Sequence, residues 1–166
     1  MKGQAVSHIT KEDLKRIREH LKKEKNIVLA AYIDIGLNAA LTFSELASLR
    51  LEDLNSNPII KGNRKIYFNQ TCKDSIKKLK KYYQDLGFKT DEGYLFKSLS
   101  PKNKKYKIDA TFTNGAMSKI FRNLKDTLSI TYPIGTGSLK KTWYHIIFNS
   151  YTEEDIEKVY DRNVIY

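Results

Sequence analysis

A chain of 166 residues, 40 % of them apolar, is long enough to bury the core of one domain and too apolar for wholesale disorder. Its 30 Lys and Arg against 19 Asp and Glu leave a formal charge of +11, which fits either a polyanionic partner, nucleic acid or an acidic membrane surface, or simply a Lys-rich surface from an AT-rich genome. The single cysteine, Cys72, excludes an internal disulfide and a cysteine-cluster metal site.

Met1 to Ser7 lacks the apolar core of a signal peptide. Thr10-Lys-Glu-Asp13 is a capping box, opening a helix whose inward stripe is Leu14, Ile17 and Leu21. The opposite face carries Lys11, Lys15, Arg16, Arg18, Lys22 and Lys23, a solvated surface. Asn26 caps the next helix, which runs from Ile27 to about Ala40 and is apolar on nearly every face. Such all-round apolarity marks a central core helix. Tyr32, Asp34, Gly36 and Asn38 interrupt it, so it is too short and too polar to span a bilayer, and the chain reads as cytoplasmic with no membrane partner. A short third helix covers Phe43 to Leu49.

Residues 58–68 read as a small hairpin turning at Gly62-Asn63, with Leu51 to Leu54 as a candidate third strand. The helical period returns at Thr71, with Ile76, Leu79, Tyr83 and Leu86 on one face, and Gly87 ends that helix. Cys72 fits as a small residue at its start. Gly93 to Phe96 is a brief extended piece, and Ser98 to Lys107 is a basic loop around Pro101. Met117, Ile120, Phe121, Leu124 and Leu128 share a helix face, and Ser138 caps another helix with Leu139, Trp143, Ile146 and Ile147 inward. Thr152-Glu-Glu-Asp155 is a second capping box, opening a last helix with Ile156 and Val159 inside. The fold class expected is mostly α with a small antiparallel β-sheet, an α+β domain without internal repeat or Pro/Gly/Ser-rich linker.

Two segments carry more than local structure. Residues 33–54 contain Gly-Leu-Asn-Ala-Ala-Leu-Thr-Phe-Ser-Glu-Leu-Ala-Ser-Leu-Arg-Leu-Glu-Asp, and residues 134–142 read Ile-Gly-Thr-Gly-Ser-Leu-Lys-Lys-Thr. They resemble the T-G-L-R-I-S-E-L-x-x-L-x-x-x-D and G-T-H-S-L-R-K-T segments of tyrosine recombinases, the phage-integrase family. A hairpin, a long helix, a Tyr-Leu-Phe piece and another helix lie between them in the family's order, so the resemblance covers about residues 10–160. It implies a recombinase catalytic-domain-like fold over one domain, residues 1–166, with neither a separate arm-binding domain ahead of it nor the complete C-terminal nucleophile segment.

The same resemblance implies a degenerate active site. Thr42 stands where the family places a phosphate-clamping arginine, Gly137 where it places an acid/base histidine, and Lys140 where it places a second arginine. Threonine has no charged fork for bidentate phosphate contact, glycine no proton to exchange, and lysine a charge without the fork. Thr42-Phe-Ser-Glu45 is also a capping box, which accounts for Thr42 and Glu45 as an ordinary helix start. Lys61, with Lys65 second, matches the family's hairpin lysine, and Arg162 falls at its downstream histidine or tryptophan. The family's nucleophilic tyrosine would fall beyond the last residue, and Tyr160 and Tyr166 sit at other spacings. His8 and His20 have no partner spacing, and His145 reads as a packing residue.

Loss of one preorganised donor costs on the order of 10²–10³ in rate, so losing two clamps, the acid/base and the nucleophile together leaves no route to strand cleavage. The expectation is an inactive, integrase-like protein that binds double-stranded DNA through Lys61, Arg64, Lys65, Lys119, Arg122, Lys140, Lys141 and Arg162. It would be a regulatory or accessory factor of a phage or mobile element, with other proteins of that element as further partners and with no cofactor or metal. Two alternatives stand beside it: a fragment of a working recombinase with chemistry moved to Lys61, Lys140 and His145, or a protein-interaction module that kept the fold and lost DNA.

Overall fold

The structure is a computed structural model that describes residues 5–56 and 58–150, the last four as helix backbone only. The second Thr-Glu-Glu-Asp box, Tyr160, Arg162 and Tyr166 therefore lie outside the described residues, as does the side chain of Ile147.

Helix α1 (Lys11–Lys23) buries Leu14, Ile17 and Leu21, and Thr10 Oγ1 accepts from the Asp13 amide. Only half of the expected capping box forms. The Asp13 carboxylate accepts instead from the Tyr132 hydroxyl at 2.6 Å and from Arg16 at 2.7 Å. Aspartate is one methylene shorter than the glutamate that closes a full box, and here it ties the start of α1 to the segment that precedes Ser138. Helix α2 (Ile27–Asn38) is capped by Asn26 and buries residues around its whole circumference, Val28, Leu29, Tyr32, Ile33, Ile35 and Leu37 among them. It is the central element, touching α1, α4 (Gln70–Asp85) and α7 (Ser138–Ser150). Gly36 makes this closeness possible: a Cβ there would meet Leu139 at 2.7 Å and Leu46 at 3.0 Å.

Helix α3 (Phe43–Ser48) opens with the full capping box of Thr42 and Glu45. The expected third strand is a 3-10 helix over Leu51–Asn55. Its turn closes because Asp53 Oδ2 accepts from the Arg50 amide at 2.9 Å, which draws the backbone out of the extended state. The hairpin itself is β1 (Ile59–Lys61) against β2 (Arg64–Ile66), antiparallel, with Ile59 opposite Ile66 and both buried. The 93–96 piece meets Arg50 through one bridge at Tyr94 and forms no strand of its own.

Asn69 caps α4, which buries Cys72, Ile76, Leu79 and Tyr83. The basic loop expected over 98–107 contains a helix, α5 (Pro101–Tyr106), because Ser100 accepts from the Asn103 amide and Pro101 fits the first helical position. Helix α6 (Asn114–Thr127) buries Met117, Phe121 and Leu124. In α7, Leu139 and Trp143 face inward as expected, but Ile146 is 45 % exposed. Ser138 does not cap α7; its Oγ accepts from the Gly135 amide and closes the preceding turn. No described helix is long and apolar enough to cross a membrane.

One buried polar atom stands out in the core. The Tyr32 hydroxyl, in a residue 1 % exposed and edge-on to Phe96, has no hydrogen-bond partner among the described residues. Leaving such a group unpaired costs about 1–3 kcal/mol. Tyr32→Phe is therefore expected to raise stability by about 1 kcal/mol in urea denaturation, and a loss of stability would reveal a partner for that hydroxyl.

Candidate functional site

The C-terminus of α2, the start of α3 and the hairpin are joined by one guanidinium. Arg64 on β2 donates from Nη1 to both Glu45 oxygens at 2.7 Å, and from Nη2 to the Ala40 carbonyl at 2.8 Å and the Ala39 carbonyl at 3.3 Å. Glu45 Oε1 also accepts from the Thr42 amide at 3.0 Å and the Thr42 hydroxyl at 2.9 Å. Ala40 holds a left-handed φ of 53° where the chain leaves α2. Arg64 thus satisfies the end of one helix and the cap residue of the next, and its side chain is only 16 % exposed. Its placement departs from the expected phosphate contact: the fork is occupied by carboxylate and carbonyls inside the protein.

This network sets Thr42 on the wall of a concavity of about 500 Å³, lined also by Phe43, Ser44, Asn114, Thr136, Gly137, Lys140, Lys141 and Tyr144. Three positions singled out from separate parts of the sequence, Thr42, Gly137 and Lys140, therefore meet at one place. Lys140 has no partner among the described residues. Lys141 is turned away, its Nζ donating to the Val6 carbonyl at 2.6 Å. The chemistry available in this concavity is the Lys140 ammonium, unpaired among the described residues, with Ser44, Asn114 and Thr136 in the same lining, which suits holding an anion. Tyr144 and Asn114 were not singled out from the sequence. Tyr144 follows Lys140 by one helical turn, and that spacing was the available signal.

The remaining residues expected to bind DNA are dispersed. Lys61 is paired with Asp53 at 2.7 Å and donates to the Ser48 carbonyl at 3.3 Å. Lys65, half-buried on β2, lies opposite Ile60 and so on the other face of the hairpin from Lys61. Lys119 lines a different groove, about 730 Å³, with Lys25, Lys104 and the first turn of α2. Arg122 is exposed on α6, and Arg162 lies outside the described residues.

Two titratable groups complete the picture. The Cys72 thiol is buried, and burial pushes it up to about 11, so it carries no nucleophilic chemistry at neutral pH. His8 and His145, read from sequence as unrelated, stack face to face with ring centroids 3.8 Å apart and planes 13° from parallel. Burial and then the charge of His145 hold His8 below its ordinary value of 6.5. No group of three or more metal-binding side chains occurs among the described residues.

Two outcomes are expected. Arg64→Leu leaves Glu45 half-buried without its main partner and should cost about 3 kcal/mol in chemical denaturation; Arg64→Lys should not restore it, because an ammonium cannot span a carboxylate and two carbonyls. His8 binds its proton less readily folded than unfolded, so the unfolded chain takes up more protons below pH 6.5. Stability should fall as pH drops from there through His8's lower value, and His8→Phe should flatten that slope.

No protein-family model matches the chain, and no curated protein matches it. Among solved structures, the crystal structure of XerA recombinase superposes with a TM-score of 0.68 over 96 % of this chain at 17 % identity. The chain spans 56 % of that structure's length. The mostly helical fold with its two-stranded antiparallel sheet is thus the fold of part of a recombinase.

Proposed function

We propose that this protein grips double-stranded DNA through the concavity at Thr42, Gly137 and Lys140 and does not cut it. The observation that carries this reading is the convergence of those three residues on one anion-suited surface. Where the resemblance calls for a charged fork, a proton donor and a second fork, the concavity has a hydroxyl already given to Glu45, no side chain and a single ammonium. The arginine partner of Glu45 arrives from the hairpin and is engaged inside the protein, away from any ligand. The net charge of +11 and the recombinase-like fold favour duplex DNA as the anion. Phosphate contacts of this kind position a protein on DNA without reading its sequence. A protein that holds DNA without breaking it suits an accessory or regulatory role in a phage or mobile element, and the whole chain acts as one integrase-like domain.

Tyr144 favours a second reading. Its place in the same concavity as Lys140 puts a potential nucleophile beside a cation. Two clamps and a general acid would still have to be supplied from elsewhere, which is why binding without cleavage is preferred.

Affinity for a short duplex should fall steeply between about 50 and 200 mM salt through counterion release. Lys140→Ala should weaken binding evenly across sequences and lower the salt slope by about 1. Absence of binding at low salt removes the proposal. A suicide DNA substrate should yield no covalent adduct; an adduct that disappears in Tyr144→Phe would establish the second reading instead.

A further inference from the structure

Residues 5–9 lie as a strap against the turn that leads into α7. The Ser7 amide donates to the Pro133 carbonyl at 2.8 Å, and the Ile9 amide donates to Thr142 Oγ1 at 2.9 Å. Thr142 passes its own hydroxyl proton to the Ser138 carbonyl at 2.6 Å, so this buried hydroxyl is satisfied in both directions. The Val6 carbonyl accepts from Lys141 Nζ, and the His8 ring lies flat on His145. The Val6 side chain rests on two glycines: a Cβ at Gly135 would stand 2.8 Å from one Val6 methyl, and a Cβ at Gly137 would stand 3.3 Å from the other. The place where the resemblance puts a histidine is therefore bare for a reason of its own, since the missing side chain leaves room for Val6.

One contact that holds the strap, Lys141 on the Val6 carbonyl, is one that an anionic ligand can replace. Ile9 is buried and anchors the chain ahead of α1, so residues 5–8 can leave without disturbing that helix. Lys141 gives its charge to a neutral carbonyl, although it lines the same concavity as the unpaired Lys140. A phosphate oxygen is the stronger acceptor for an ammonium, because it brings an opposite charge where the Val6 carbonyl brings only a dipole. Exchange of the Val6 carbonyl for a phosphate is therefore favourable once the strap lifts.

We infer that residues 5–8, hinged on buried Ile9, are a built-in gate on the DNA-binding concavity, withholding Lys141 from phosphate until Val6 leaves the two glycines. This rests on the DNA-binding reading above. The gate predicts two affinity states of one chain, strap down with Lys140 alone available and strap up with both lysines.

A cysteine pair, Val6→Cys with Gly135→Cys, suits a disulfide because a Cβ at Gly135 would stand 3.8 Å from the Val6 Cβ, and Gly135 lies outside the lining of the concavity, while Cys72 is buried. Intact-mass analysis establishes the disulfide, and the oxidised and reduced forms are titrated with the same short duplex over a salt series. The oxidised, strap-locked form should bind more weakly, and its log affinity against log salt should be shallower by about 0.9, the value of one phosphate contact. Val6→Gly, which needs no new bond, should bind more tightly than the unmodified chain with a slope steeper by about the same amount. Equal affinities and slopes in all forms that bind DNA would overturn the gate and leave the DNA reading standing. If no form binds duplex at low salt, both fall together.

Discussion

The Arg64–Glu45 contact is the constraint on which the geometry around the concavity depends. The carbonyls of Ala39 and Ala40, buried just past the end of α2, need donors, and α3, which begins five residues after Asn38, needs acceptors for its first amides. Glu45 supplies the second need through Thr42, and Arg64 supplies the first at Ala39 and Ala40 while holding Glu45 in place. A planar fork with several donors can do this and a flexible ammonium cannot. Because Arg64 belongs to β2, the same contact fixes the hairpin against the helices, and it sets Thr42 on the wall of the concavity.

The opposite wall is built by a different device. Gly36 lets α2 approach Leu139 at a distance no side chain would allow, so α7 lies directly on the central helix. Thr142 then couples α7 to the strap, since one hydroxyl serves the helix carbonyl and the Ile9 amide. The concavity is thus flanked by one rigid wall, locked by an ion pair, and one wall whose edge is covered by a short extended segment. A rigid scaffold with a lightly held edge is the arrangement in which local opening costs least.

The residues that carry the resemblance and those that depart from it have separate explanations. Leu46, Leu139 and the glycine between them are packing residues of the α2–α3–α7 junction, and they hold the concavity open whatever lines it. Thr42, Gly137 and Lys140 line it, and each has a local role: a cap, a bed for Val6, and an unpaired charge. A scaffold and its chemistry are separable in this way because packing depends on buried apolar contacts while phosphate chemistry depends on a few exposed polar groups.

Sequence by itself determined most of the helices, because periodicity and caps are local: Thr10, Asn26 and Thr42 each accept from an amide three residues on. It also determined the hairpin and the order of elements that carried the resemblance. Where local signals compete, it misled. Ser100-Pro101 opened a helix inside an expected loop, and Asp53 curled an expected strand. Tertiary structure alone decided which charges are available. Arg64 and Lys61 look like Lys140 in a list of basic residues, yet the fold gives Arg64 and Lys61 carboxylate partners from distant segments and leaves Lys140 with none among the described residues. Pairing of a charge depends on what the chain brings within a few ångströms, and separation along the sequence carries no record of that distance.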